Sequence, residues 1–169
     1  MTIHSFTNSE SLSDDILIAF FNEIEKVKEN SRSLVIVTHG LIELLLNTVI
    51  DSKLKHGKKK ITSNNKDYPQ SVKLVILHEL NFIDNNLYQI LDWFRKIRNK
   101  AAHEPFFGLN KSEYDFANKS LNRFIPEESK YKPNNLFHFC KLLVGTIWNE
   151  NLNSLLPVFA PDLVNKNSK

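Results

Sequence analysis

Apolar residues recur every three or four positions along most of this chain, a spacing that predicts α-helices. The first such series covers residues 16–27 and follows Ser11 and Ser13, whose hydroxyl groups suit the start of a helix. In residues 34–50, apolar side chains occupy almost every side of the next predicted helix. A helix with so little polar surface belongs at the centre of a bundle.

The rest of the chain alternates helical segments with polar loops. Residues 56–69 are rich in lysine and in turn residues, and we predict an exposed basic loop there. Pro105 disfavours helical geometry at Glu104, so the longest amphipathic segment is predicted to end near His103. The other predicted elements are a helix over 71–80, the long helix over 87–103, a weaker helix over 112–124, a polar loop from Pro126 to Pro133, and a final helix over 136–155 that Pro157 ends.

These segments predict an all-α fold, an antiparallel helical bundle of five to six helices. A chain of 169 residues is the size of one domain, which we place at residues 1–157, followed by a polar tail at 158–169. An all-β fold is not expected, because 4 Gly against 12 Phe leave too few turn residues between short strands.

Charge, cysteine content and hydropathy limit the kinds of site and the cellular compartment to be expected, but they do not indicate a function. The net charge of +3 is too small to indicate nucleic-acid binding by itself. Cys140 is the single cysteine, so neither an internal disulfide nor a site with several thiolates can form. No apolar run approaches the ~20 residues of a membrane span, and the N-terminal segment is polar. We therefore expect a soluble, cytoplasmic protein without a membrane segment.

The most specific string in the chain runs from Arg95 to His103 and ends in the letters IRNKAAH. Arg98 and His103, with Asn99 directly after the arginine, resemble the signature of the HEPN (higher eukaryotes and prokaryotes nucleotide-binding) domains. The stretch SRSLVIVTHGLIELLLNTVI, which precedes the motif, resembles the mannitol operon repressor branch of that group. The resemblance covers roughly residues 30–108.

The resemblance implies a HEPN-like all-α bundle that is commonly a homodimer. Many HEPN domains are metal-independent ribonucleases in which arginine and histidine from both subunits meet at the interface. Some act as toxins paired with a nucleotidyltransferase-type antitoxin, and others as effectors of phage defence. Regulators of the mannitol type keep the fold without demonstrated cleavage.

The chemistry of the motif residues is consistent with RNA cleavage. Arg98 would clamp phosphate oxygens with its planar guanidinium, His103 would transfer a proton, and Asn99 would assist. Because a helix C-terminus favours the imidazolium, His103 suits the acid better than the base. Five residues along a straight helix leave Arg98 and His103 about 140° apart, so they converge only if the chain unwinds near Ala102.

Structural explanations of the same residues stay open. Arg98 could pair with the acid Glu43, and His103 could satisfy the free carbonyls at the helix end. Glu43 could instead orient Arg98 or His103, which makes it a candidate supporting residue. His39, four residues before Glu43, is interpreted as a buried histidine with internal hydrogen bonds, because no ligand set for a metal accompanies it.

Basic side chains are candidates for contacts with an RNA backbone. These are Arg95 and the lysines of the basic loop, Lys58, Lys59 and Lys60, although a solvated loop is the commoner reason for such a run. No aromatic residue is interleaved with these lysines, so they do not indicate a stacking platform for single strands.

The leading hypothesis is a metal-independent HEPN endoribonuclease that acts as a homodimer on single-stranded RNA or a tRNA-like target, without a cofactor, and leaves a 2′,3′-cyclic phosphate. The alternative is a non-catalytic regulator or binding module of the mannitol operon repressor type. A helix-turn-helix DNA binder is a weaker third, because no short helix pair carries a basic recognition face. The four isolated glycines exclude phosphate-binding and dinucleotide-binding loops.

Overall fold

The computed structural model describes residues 6–121 and 135–161, and within these ranges the regular structure is entirely helical. The predicted all-α class is confirmed. The described residues form eight helices, more than the five or six expected from the sequence. They are α1 (Phe6–Glu25), α2 (Ser31–Lys53), α3 (Lys58–Ser63), α4 (Gln70–Glu79), α5 (Asn85–His103), α6 (Lys111–Leu121), α7 (Leu136–Glu150) and α8 (Leu152–Phe159).

α2 occupies the central position that its apolar pattern predicts. It packs against α1, α3, α5, α7 and α8, and its buried residues include Leu34, Ile42 and Leu45. Asn30 begins the helix, because its side-chain oxygen accepts a hydrogen bond of 2.9 Å from the Ser33 backbone N–H. The core of the molecule is therefore built around one helix.

By length and mean hydropathy alone, α2 also resembles a membrane-spanning helix, contrary to the expectation that no apolar run is long enough. It has 23 residues and a mean hydropathy of 1.8 over its most apolar segment. The central helix of a bundle has the same properties, and 56% of that segment is buried against the rest of the chain.

The predicted basic loop at 56–69 is partly wrong, because it contains the short helix α3. Gly57 adopts a left-handed backbone with φ 71°, which reverses the chain after α2. Lys58 then donates a hydrogen bond of 2.9 Å to the Asp51 carbonyl, and the Thr62 hydroxyl lies 3.2 Å from the Asp51 carboxylate. Six residues are too few to show a helical period in the sequence, so these contacts with α2 went undetected.

The predicted final helix is interrupted at Asn151, which separates α7 from α8. The Asn151 side chain donates to the Ile147 carbonyl at 3.1 Å, while its own carbonyl accepts from the Ser154 N–H at 2.8 Å. Asn151 therefore ends one helix and begins the next. Pro157 lies inside α8 rather than ending a helix, which corrects the prediction.

Other predicted boundaries have mixed outcomes. α1 begins at Phe6, ahead of the predicted start at Ser11 and Ser13. α4 and the end of α5 at His103 agree with the prediction. The predicted loop between Pro126 and Pro133 and residues 162–169 of the predicted tail lie outside the described residues.

Cys140 is fully buried on α7, as its place in an apolar stripe predicted. Burial raises the pKa of its thiol to about 12, against a small opposing effect of Thr38. The thiol is therefore protonated throughout the physiological range, and Cys140 serves as a small core residue.

Adjacent leucines on α2 test the central role of this helix. Leu45 is fully buried and Leu44 is 45% exposed. We expect Leu45→Ala to lower the free energy of unfolding by about 2 to 5 kcal/mol, and Leu44→Ala by less than about 1 kcal/mol. Urea denaturation followed by circular dichroism measures both. Equal losses in the two variants would show that α2 is not oriented as described.

Candidate functional site

α5 places three polar residues of the motif on one side of the helix. Arg95, Arg98 and Asn99 are three and four residues apart, while the buried positions of α5, such as Phe94 and Ile97, face the core. The helix begins at Asp84, whose carboxylate accepts a hydrogen bond of 2.7 Å from the Leu87 N–H, and it packs against α2, α4 and α6.

These three residues line a cavity of about 250 Å³ that α2 and the start of α4 complete. The sequence separation between its walls is large, so only the tertiary fold brings them together. The lining residues are His39 and Glu43 on α2, Asn65, Pro69, Gln70 and Ser71 at and before the start of α4, and Arg95, Arg98 and Asn99 on α5. The structure thus brings the predicted residues Arg98, Asn99, Glu43 and Arg95 to one place.

The carboxylate of Glu43 forms an ion pair with a buried lysine. Lys73 on α4 is 1% exposed, and its ammonium lies 3.8 Å from the Glu43 carboxylate. The same ammonium donates a hydrogen bond of 2.7 Å to the side-chain oxygen of Asn65. Because a buried ammonium needs such partners, Glu43 balances the charge of Lys73.

Arg95 is held by a carboxylate on its own helix. Its guanidinium donates two hydrogen bonds to Asp92, at 3.1 and 2.8 Å, and Lys96 lies 2.7 Å from the same carboxyl group. Partial burial opposes ionisation of Asp92, but the hydrogen bonds from Lys96 and Arg95 outweigh it and lower the pKa of this carboxyl. Arg95 therefore enters the cavity with its charge largely balanced.

Arg98 has no carboxylate partner among the residues that the structure describes. Its one hydrogen bond is to the side-chain oxygen of Asn99, at 3.3 Å. The suggested ion pair between Arg98 and Glu43 is not formed. The guanidinium of Arg98 consequently keeps most of its hydrogen-bond donors free for a ligand.

His39 is the histidine that shares this cavity with Arg98. It is only 7% exposed, which confirms the predicted burial, and its Nε2 atom makes no hydrogen bond of normal length and angle within the described chain. The pKa of His39 is lowered, first by burial and then by the positive charges of Arg98 and Arg95, while a side-chain interaction with Gln70 and the charge of Glu43 act in the opposite direction. The ring is therefore neutral at neutral pH.

His103 lies elsewhere, exposed on the last turn of α5 and outside the cavity lining. α5 remains helical to His103, and the Glu104 N–H still bonds the Lys100 carbonyl at 2.9 Å. The unwinding near Ala102 that would bring His103 toward Arg98 does not occur. On this regular helix the two side chains leave the axis about 140° apart.

Another residue satisfies the carbonyls that follow α5. Arg32, on the first turn of α2, donates hydrogen bonds of 2.6 Å to the Glu104 carbonyl and 2.8 Å to the Pro105 carbonyl. Within the described part of the chain, the side chain of His103 makes no hydrogen bond. The suggested role of His103 at the helix end is thus taken by Arg32.

The three candidate lysines of the basic loop lie on α3 and do not line the cavity. Lys58 is half-buried and bound to the Asp51 carbonyl, whereas Lys59 and Lys60 are exposed. Within residues 6–121 and 135–161, no group of three His, Cys, Asp or Glu side chains is arranged so that it could hold a metal ion.

No sequence pattern singles out Asn65, Gln70 and Ser71 in the cavity lining, or Lys73 beside it. The spacing of four residues predicts that His39 and Glu43 are neighbours, but it does not predict that His39 lines this cavity. No family model, no curated protein and no solved structure matches this chain.

Protonation of His39 is expected to destabilise the fold. Its folded pKa lies below the 6.5 of the free side chain, so the unfolded chain binds this proton first as the pH falls. Stability conferred by neutral His39 is therefore present above that value and declines below it. We expect the wild type to lose more free energy of unfolding than His39→Gln between about pH 7 and about pH 5.

Urea denaturation at the two pH values measures this difference. His78→Gln is the matched control, because it also removes one histidine but leaves His39 in place, and it should show the wild-type pH dependence. An equal loss of stability in wild type and His39→Gln would contradict the described environment of His39.

Proposed function

We propose that this protein is a metal-independent endoribonuclease of the HEPN type that cleaves RNA by attack of its own 2′-hydroxyl group. The observation that carries the proposal is the state of Arg98, a cation at a polar cavity without a carboxylate to balance it. Glu43, the acid in this cavity, is paired with Lys73 and not with Arg98.

The charge around the cavity supports a phosphodiester as the ligand. Among the residues that line the cavity, Arg95 and Arg98 contribute two positive charges and Glu43 contributes one negative charge. The excess of one positive charge matches the single negative charge of a phosphodiester. A free guanidinium fits this group well, because its planar donors can bind two phosphate oxygens at once.

Arg98 would then stabilise the transition state of strand cleavage. Negative charge accumulates on the nonbridging phosphate oxygens as the 2′-oxygen attacks, and a fixed guanidinium stabilises that charge without needing to reorganise. Asn99 supports this arrangement by accepting a hydrogen bond from Arg98.

His103 would protonate the leaving 5′-oxygen, but not within the same chain. Because α5 is regular, a single subunit directs Arg98 and His103 to different sides of the helix. We therefore include in the proposal a homodimer in which the Arg98 cavity of one copy receives His103 from the other.

The exposed Lys59 and Lys60 would contact the RNA backbone beyond the cavity, together with Lys58 and Arg95. The cellular role would be that of a toxin, with a nucleotidyltransferase-type antitoxin as a partner, or of a phage-defence effector in the cytoplasm.

Cleavage of RNA in the presence of excess EDTA tests the proposal. Labelled total RNA and tRNA are incubated with wild type, Arg98→Ala and His103→Ala. We expect the wild type to cut and each variant to be slower by at least about 100-fold, since each lacks one group that acts in the transition state. Arg98→Lys, which keeps the charge but loses the fork, should also be impaired.

Lys26→Ala is the control, because it removes an exposed cation outside the motif and should cut like the wild type. Melting temperatures should stay within a few degrees for all variants, as neither Arg98 nor His103 makes a large stabilising contact. A wild type that cuts no RNA, or cleavage that survives both motif substitutions, would overturn the proposal and favour a non-catalytic binding module.

A further inference from the structure

The proposed reaction needs a proton acceptor, and the motif residues do not provide a suitable one. His103 donates a proton to the leaving 5′-oxygen in the proposed reaction, so it does not also accept the 2′-hydroxyl proton in the same step. An arginine side chain does not act as a proton acceptor. Cleavage of RNA by its own 2′-hydroxyl requires a second group that is neutral and close to the bound phosphate.

His39 has the position that such a group needs. It lines the same cavity as Arg98, in the same chain, and it is more than nine-tenths buried. Its Nε2 atom makes no hydrogen bond of normal length and angle in the described structure, and the side chain of Gln70 in the same wall interacts with the ring. Buried polar atoms are normally satisfied, so a buried imidazole nitrogen without such a bond beside a polar cavity points to a polar ligand.

We propose, on the basis of the function proposed above, that His39 is the general base of this site and accepts the proton of the 2′-hydroxyl group. The ligand of the cavity is then the ribose 2′-hydroxyl together with its 3′-phosphodiester, with the phosphate on Arg98. Single-stranded RNA is the substrate class, because a base-paired strand holds its backbone away from the in-line geometry this attack requires.

The step balances with these groups alone. The 2′-hydroxyl proton moves to a ring nitrogen of His39, and the freed electron pair of the 2′-oxygen forms a bond to phosphorus. The bond from phosphorus to the 5′-oxygen breaks, and that oxygen takes a proton from His103 of the second copy. The products are a 2′,3′-cyclic phosphate and a 5′-hydroxyl end, and exchange with water restores both histidines.

The surroundings of His39 suit a base rather than an acid. Positive charge reaches it from α5 through Arg98 and Arg95, while Glu43 on α2, the carboxylate that is paired with Lys73 of α4, opposes them. Burial and the two arginines lower the pKa of the ring, which keeps it unprotonated at neutral pH. Gln70 acts in favour of the protonated ring and so limits the cost of accepting the proton.

RNA with a sulfur atom in place of the bridging 5′-oxygen separates the base from the acid. A thiolate leaves without being protonated, so this substrate needs the base but not the acid. On ordinary RNA we expect His39→Gln and His103→Ala each to be slower by at least about 100-fold. On the sulfur-bridged RNA, His103→Ala should recover to within about tenfold of wild type, and His39→Gln should remain impaired.

Two controls keep this result from reflecting a damaged fold. His78→Gln should cleave both substrates like the wild type. Binding of RNA with a 2′-deoxy residue at the cleavage site, followed by fluorescence anisotropy, should be nearly unchanged in His39→Gln, because that RNA has no proton for His39 to accept. If His39→Gln is poorly folded, His39→Asn takes its place.

The outcomes distinguish the two proposals. A wild type that cuts neither substrate overturns the ribonuclease proposal, and the assignment of His39 with it. A wild type that cuts ordinary RNA while His39→Gln cuts equally well overturns the assignment of His39 alone. Recovery of His39→Gln on the sulfur-bridged RNA would likewise show that His39 is not the base.

Discussion

The ion pair between Lys73 and Glu43 determines which charges around the cavity stay free. Lys73 is buried by the packing of α4, and an ammonium without water needs a carboxylate and hydrogen-bond acceptors nearby. Glu43 and Asn65 meet that need. Glu43, the acid that was expected to pair with Arg98, is therefore already paired. The guanidinium of Arg98 on α5 remains available to a ligand in the cavity.

The regular geometry of α5 sets a second constraint. With the helix intact to His103, one chain presents Arg98 to the cavity and His103 to another side. Arg32 reinforces this arrangement, because its two hydrogen bonds hold the backbone just beyond His103 against the start of α2. In the proposed enzyme, the histidine that acts with Arg98 inside one subunit is His39, and His103 acts on the site of the second copy.

Much of the fold could be predicted because helical periodicity is a local property. The apolar coverage of residues 34–50 was sufficient to place α2 at the centre, and Pro105 was sufficient to end α5. The short α3 could not be predicted from the sequence, because contacts with Asp51, and not an apolar pattern of its own, stabilise it. Pro157 was misjudged because the interruption lies earlier, at Asn151.

Only part of the site could be predicted, because some of its residues meet through contacts between segments that are distant in the sequence. Arg98 and Asn99 were visible as a motif on one helix. The buried state of Lys73 was not, because lysine is almost never fully buried and nothing local marks this one as an exception. The meeting of His39 with Arg98 depends on packing between α2 and α5, which no spacing along the chain reveals.

Mixing inactive subunits tests the composite site most directly. Arg98→Ala and His103→Ala, refolded together in equal amounts, should regain about a quarter of wild-type cleavage, since half of the dimers are mixed and each of those has one complete site. Arg98→Ala mixed with His39→Gln should stay inactive, because each cavity needs both residues from one chain. Activity in the second mixture, or none in the first, would contradict this arrangement.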